Sequence, residues 1–342
     1  MKNIKSIKIL VLLLILLQLS FGNAPKIGMA GAPELLIPMG ARNVSMGGAD
    51  ISAISGPEAI YWNPAGLGKV QNVEATFNYM NYFADMNVSY IATGINVGGA
   101  GVIGLSFQSL DIGSWEQTTI WLPEGTGVTI EPIYMTLGVT YARRFTDRIL
   151  FGANAKFIRE DIGKMSASGY AFDLGLQYVT PFGISFGVTM KNLGSEISYD
   201  GTPIEFDSDI EYSDPNATTR KTRLDMATHE LPASMSLGIG YSYGVGDIGK
   251  LNLASTYDHT YYLDKGRFGA EFVFNDMIAV RSGYVMNFYP EDWPTEEESQ
   301  FGFTLGGGLN LDVGGTALMI DYAYRPMADF DANQYFSISL GL

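Results

Sequence analysis

The sequence predicts an all-β protein, a transmembrane antiparallel β-barrel of about 14 strands with an N-terminal plug, and three observations predict it. Segments of about ten to thirteen residues alternate an apolar face with a Gly/Ser/Asn or charged face, as they do when one face meets hydrocarbon and the other a polar interior. No internal segment is apolar for the roughly twenty residues of a spanning helix, so a mature chain in a membrane must cross it as a closed sheet. The connections between strands alternate between short turns and longer loops. The clearest strand sets Phe301, Phe303, Leu305, Gly307, Leu309 and Leu311 against Gly302, Thr304, Gly306, Gly308, Asn310 and Asp312. A soluble sandwich also alternates, but its strands are usually shorter, about five or six residues, and its exposed face is rich in Lys and Glu.

The chain opens with Lys2, Lys5 and Lys8, an apolar run from Ile9 to Leu19, and Ser20, Phe21 and Gly22 at a plausible cleavage point. That is the layout of a secretory signal, so residues 1–22 are set apart from the fold. Residues 23–70 do not alternate. Gly40, Gly47, Gly48, Gly56, Gly66 and Gly68 break them into turns, with one short helix expected around Pro57 to Trp62. Residues 71–342 form the barrel, with strands expected near 73–83, 86–97, 101–110, 130–143, 148–160, 166–180, 182–193, 232–244, 249–260, 265–275, 277–288, 299–312, 314–326 and 332–342.

If the first strand runs outward, the turns Gly98–Ala100, Thr146–Asp147, Thr180–Pro181, Val245–Ile248, Asn275–Asp276 and Val313 fall on the periplasmic side. The long connections Asp111–Thr129, Gly194–Leu231 and Tyr289–Glu298 then all fall outside. This asymmetry is that of bacterial outer-membrane barrels, and it places the chain in a bacterial outer membrane with lipid as its first partner. The final strand alternates through Phe336, Ile338, Leu340 and Leu342 but lacks a terminal aromatic residue.

Forty-one Gly, twenty Tyr and nineteen Phe, with 17% charged residues, suit small-residue interiors and aromatic girdles. No cysteine is present, which excludes disulfides and thiolate chemistry. A net charge of −15 argues against nucleic acid, and two His leave little for a His-based metal or catalytic site. No nucleophile elbow or paired-carboxylate motif is visible, so no catalytic residue, cofactor or metal is expected. The acidic stretch Asp207, Asp209, Glu211 and Asp214 lacks the glycine and terminal Glu of an EF-hand and reads as a solvated loop.

The inward parity carries Lys156, Asp173, Lys191, Arg267, Glu271, Arg281, Asp321 and Arg325. These mixed signs fit interior ion pairs or a polar channel lining. Arg42, an isolated cation in the plug, is expected to pair with Asp173, Glu271 or Asp321. Gly152, Asn154, Lys156, Asp173, Gln177, Gly183 and Ser185 make the wall too polar for an extensive apolar channel. Tyr199, Phe206, Ile210 and Tyr212 lie among acids in the longest loop, as at a partner-binding surface, or as anchors of the loop on its own barrel.

The elements GARNVSMGGA (Gly40 to Ala49) and YWNPAGL (Tyr61 to Leu67), ahead of such a barrel, resemble the PorV/PorQ family, a branch of the FadL-like outer-membrane proteins. The resemblance implies that residues 23–70 fold inward as a hatch and that Asn63, Pro64, Ala65 and Gly66 sit inside the barrel, either stabilising the plug or touching a ligand. It implies a type IX secretion component that binds secreted proteins at the surface. The alternatives are a FadL-like transporter of hydrophobic small molecules and a purely structural barrel.

Overall fold

A computed structural model describes residues 28–208, 220–260, 262–288 and 302–342; the signal segment lies outside them. Fourteen long strands form the wall: β1 Val73–Asn81, β2 Asn87–Asn96, β3 Val102–Asp111, β4 Ile133–Arg144, β5 Ile149–Ile162, β6 Met165–Val179, β7 Ile184–Gly194, β8 Ser234–Val245, β9 Gly249–Thr260, β10 Asp264–Phe274, β11 Ile278–Phe288, β12 Phe303–Val313, β13 Thr316–Arg325 and β14 Asn333–Gly341. Each pairs antiparallel with its neighbours in sequence. β1 closes the sheet on β14, with Phe77 opposite Ile338, so no edge is left unpaired.

The alternation is realised as two surfaces. Leu305 and Leu309 face outward and are exposed, while Thr304 between β12 neighbours is buried. The β12–β13 turn is made by Gly314 and Gly315, with φ of 66° and 89°, rather than by Val313, which ends its strand. A tight hairpin needs positive φ at its centre, which Gly adopts freely and a β-branched residue does not. Gly183, expected on the lumen face, instead turns the chain before β7 with φ 79°.

From its first described residues, which meet the long outer loop at Glu230, the plug descends through the lumen to β1. A 3₁₀ turn at Pro33–Leu36 is followed by α1 (Ala41–Ser45), α2 (Ala59–Trp62) and a second 3₁₀ turn at Pro64–Lys69. Helix α2 begins later than the stretch expected from Pro57, and α1 was not foreseen. Met39, Ile51, Ile54, Ile60, Trp62 and Leu67 of this plug pack against Val88, Tyr90 and Val102 of the wall in the main apolar core. The wall is as polar as its parity indicates, but the apolar surface inside the barrel is carried by the plug, which the wall parities do not register.

Between β6 and β7 the register shifts between Phe172 and Leu174, and Asn192 has φ 58°. The bulge breaks the strict alternation, so that Lys191 and Asn192 both turn inward.

Outside, a short hairpin pairs Trp115–Glu116 with Thr129–Ile130. The longest loop lays Asp200–Gly201 on β6 and pairs Glu205–Ser208 with Arg220–Arg223.

Candidate functional site

The polar wall residues hold the plug by its backbone. Asn63 Nδ2 donates to the carbonyls of Ile51 at 2.8 Å and Leu176 at 3.2 Å, while its Oδ1 accepts from the Ala65 N–H. It therefore ties plug to plug and plug to β6. Gln177 adds bonds to the Ile51 and Ile54 carbonyls, Thr256 donates to Ala49, and Thr304 donates to Ser45. Pro64, Ala65 and Gly66 are buried in the second 3₁₀ turn, against wall glycines. A Cβ on Gly152 would strike Pro64, and one on Gly175 would strike Asn63. The glycines of inward parity mark where the plug backbone meets the wall, a signal present in the sequence that alternation alone does not separate from a small-residue lining.

Charges fill the lumen beside α1. Arg281 binds Glu271 at 2.7 Å and Asp321 at 2.6 Å, and Arg42 reaches Glu271 at 3.0 Å and Asp50 at 3.5 Å. Arg42 thus meets Glu271 and, within the plug, Asp50; Asp173 is engaged elsewhere. Glu271, the strongest influence on Arg42, holds that guanidinium firmly charged. Glu58 accepts from the Asn43 N–H at 3.0 Å, and burial pushes its carboxyl up to about 7. On the other side Lys156 pairs with Asp173 at 2.7 Å and touches Asn192, whose N–H binds the same Asp173.

Above the plug lies a cavity of about 220 Å³. Leu36, Ile37, Ile51 and Trp62 give it an apolar floor, and Lys191, Lys265, Arg267 and Arg325 project into it from the wall. Arg267 is paired with Asp258 and donates to the Gly47 carbonyl, and Arg325 donates to the Tyr335 hydroxyl. Among the described residues Lys265 has no hydrogen-bond or ion-pair partner. Lys191 has none either; its ammonium lies 3.8 Å from the centre of the Tyr61 ring. Burial raises the Tyr61 phenol, which stays protonated. Two lysine side chains without ion-pair partners beside an apolar floor suit a ligand with an apolar body and an anionic group. The mixture of plug and wall residues that makes this cavity is not visible in either segment alone.

In the longest loop Tyr199 turns inward onto Glu160 of β5, and Ile197 and Ile204 are buried. The Phe206 side chain, Ile210 and Tyr212 lie outside the described residues, as do Asp209, Glu211 and Asp214. A different loop exposes apolar side chains: Ile120 and Trp121 are 93% and 89% exposed. Among the described residues no group of three or more His, Cys, Asp or Glu is placed to hold a metal ion.

No protein-family model matches the sequence, and no characterised protein matches it significantly. Solved structures do. The Ralstonia pickettii toluene transporter TbuX aligns with a TM-score of 0.55 and 13% identity over 89% of this chain and 98% of its own. A Pseudomonas aeruginosa FadL homologue aligns at 0.52 and 14% over 89% and 98%, and the P. putida toluene transporter TodX at 0.51 and 12% over 88% and 96%. The chain therefore has the FadL-like barrel fold of these outer-membrane proteins.

Proposed function

We propose that this barrel passes small hydrophobic molecules across the outer membrane and captures them in the cavity above the plug. The observation that carries the reading is the pairing of an apolar floor with the unpartnered Lys191 and Lys265. It favours molecules that bear an anionic group on an apolar or aromatic body. The fold shared with toluene transporters and a FadL homologue supports the same class.

Trp62 lies in the cavity and reports occupancy. Titration of the purified barrel with benzoate, laurate and toluene should quench Trp62 fluorescence, most strongly for the two anions. The Lys191→Met, Lys265→Met double variant should lose that preference while still admitting toluene. No Trp62-dependent quenching by any of the three, with uptake into vesicles equal to that of an empty bilayer, would overturn the reading.

A second reading is a type IX secretion component of PorV/PorQ type, which follows from the plug motifs. The exposed Ile120, Trp121 and Leu122 favour it, because an apolar tip on an outer loop suits a protein partner. Co-purification of surface proteins sharing a C-terminal domain, lost in Trp121→Ser or on deleting residues 195–230, would support it.

A further inference from the structure

At the outer end of the plug two carboxylates meet in a buried site. Glu34, in the Pro33–Leu36 turn, is 3% exposed and Glu160 on β5 is 2% exposed. Among the described residues neither oxygen of Glu34 has a donor, nor has Oε1 of Glu160. The remaining oxygen, Glu160 Oε2, accepts from the hydroxyl of Tyr199 in the longest outer loop. Glu160 lies close enough to act directly on the Glu34 carboxyl. As two anions they would leave adjacent like charges buried, with three of their four oxygens lacking a donor among the described residues, an arrangement that costs far more than holding one proton between them. A shared proton turns the contact into a short charge-assisted O–H···O bond.

This pair sits where three parts of the molecule join. Gly31 donates its N–H to the Glu230 carbonyl at 2.9 Å, and Ile197 exchanges backbone bonds with His229. Ala32 and Leu35 of the plug, Ile158 and Ala171 of the wall, and Ile197 and Leu231 of the loop form one apolar cluster around it. We propose that Glu34 and Glu160 form a proton-binding site, and that their shared proton latches the outer end of the plug to the base of the long outer loop, so that ionisation of the pair releases both.

The groups facing the pair from the surrounding elements are Tyr134 of β4, Tyr199 of the loop and the neutral amide of Gln108 on β3, which donates to the Glu34 carbonyl. The cations closest in sequence on β5 are committed elsewhere, Lys156 to Asp173 and Arg159 to Asp161. His229 contacts the Met29 carbonyl. Burial, and then the neighbouring Glu160, push the Glu34 carboxyl from 4.5 up to about 8. The docked state therefore keeps its proton over a range in which the released state, with Glu34 in water, has lost it. Between these values the equilibrium for release should rise about tenfold per pH unit, and it levels off above the upper one. Pro33 and Leu36 of the same turn line the capture cavity, so release would also open that cavity; this consequence alone rests on the transport reading.

The test is hydrogen exchange of the full mature barrel in detergent, followed from about pH 5 to about pH 9 and referenced to Glu34→Gln, whose amide can donate to Glu160 at every pH. Residues 29–36 and 195–200 of the wild type should lose protection about tenfold per pH unit relative to that variant, up to about pH 8, and a carboxylic-acid infrared band should disappear over the same range. Glu34→Gln should stay protected throughout, with its folded state checked by heat-modified mobility on gels. Protection independent of pH in the wild type would overturn the proposal. So would an equal fall in the Glu34→Gln, Glu160→Gln double variant, or protection that follows calcium and chelator at fixed pH, which would make the ligand a divalent cation. None of these readouts uses a transported molecule, so their failure leaves the transport reading untouched, and absence of Trp62 quenching leaves the latch untouched.

Discussion

Glu271 ties plug to wall, because it accepts from Arg42, Arg281 and Asn252 at once. Its replacement by Ala would leave two guanidinium groups buried against one remaining strong partner each, Asp50 and Asp321. Removing one member of such a buried network typically costs about 3–5 kcal/mol. Glu271→Ala should therefore lower the urea midpoint of the barrel and free α1, whereas Glu271→Gln, which still accepts one bond from each Arg, should lose less. Glu58 makes a pH-dependent contribution of definite sign. Its folded-state carboxyl is raised from 4.5 to about 7, so the plug is favoured while Glu58 is protonated in both states. That contribution declines as pH rises between the two values, because the unfolded plug gives up its proton first. Protection of residues 41–62, corrected for the intrinsic base-catalysed rate, should thus fall on going from about pH 5 to about pH 7, and Glu58→Gln should remove that fall; an unchanged fall in that variant would assign it to another group.

At the scale of elements, the wall glycines and the plug explain each other. Gly175 and Gly152 leave room for Asn63 and Pro64, and Gly187 for the Ile51 carbonyl. Gly175→Val would force these apart, at a cost of about 1–3 kcal/mol for an overpacked contact, while the barrel strands keep their hydrogen bonds. The expected result is a barrel that still runs as a folded band on gels but passes small solutes in a vesicle-swelling assay; an impermeable variant would mean that the plug repacks. The wall was legible because a period of two is written residue by residue, and a one-residue slip would put Leu305 in the lumen and Thr304 in lipid. The plug was legible only as a break in that period. Its partners lie up to hundreds of residues away, as Ala41 does from Ser337, and nothing local encodes such pairings. The ion pairs could be narrowed by parity to candidates but not assigned, which is why Arg42 had three expected carboxylates. The cavity, made half by the plug and half by the outer ends of β7, β8, β9, β10 and β13, had no single segment in which to appear. Nor did the bulge at Asn192, since nothing in the residues around it departs from a regular strand.

For the whole molecule, closure and environment set the remaining energetics. β1 pairs with β14 from Glu74 to Asn81 and Leu342 donates back to the Val73 carbonyl, so β14 closes the wall. A closed sheet with Leu305 and Leu309 on its outer face is stable in lipid only while that face stays apolar, and the cost of a charge there depends on depth. Phe303 begins β12 at the outer rim, while Leu305 lies two residues deeper and Leu309 nearer the middle of the strand. An Arg at Leu309 should therefore destabilise the barrel by about 2–4 kcal/mol in a bilayer, and an Arg at Phe303 by about 0–1 kcal/mol, since a long side chain at the rim reaches the headgroups. Urea titration of the two variants folded into vesicles measures the difference. A graded loss from Phe303 to Leu309 is the signature of a surface solvated by hydrocarbon. Equal losses at the two positions would mean that this face packs against protein, and would remove the basis for reading the outer surface as the lipid contact.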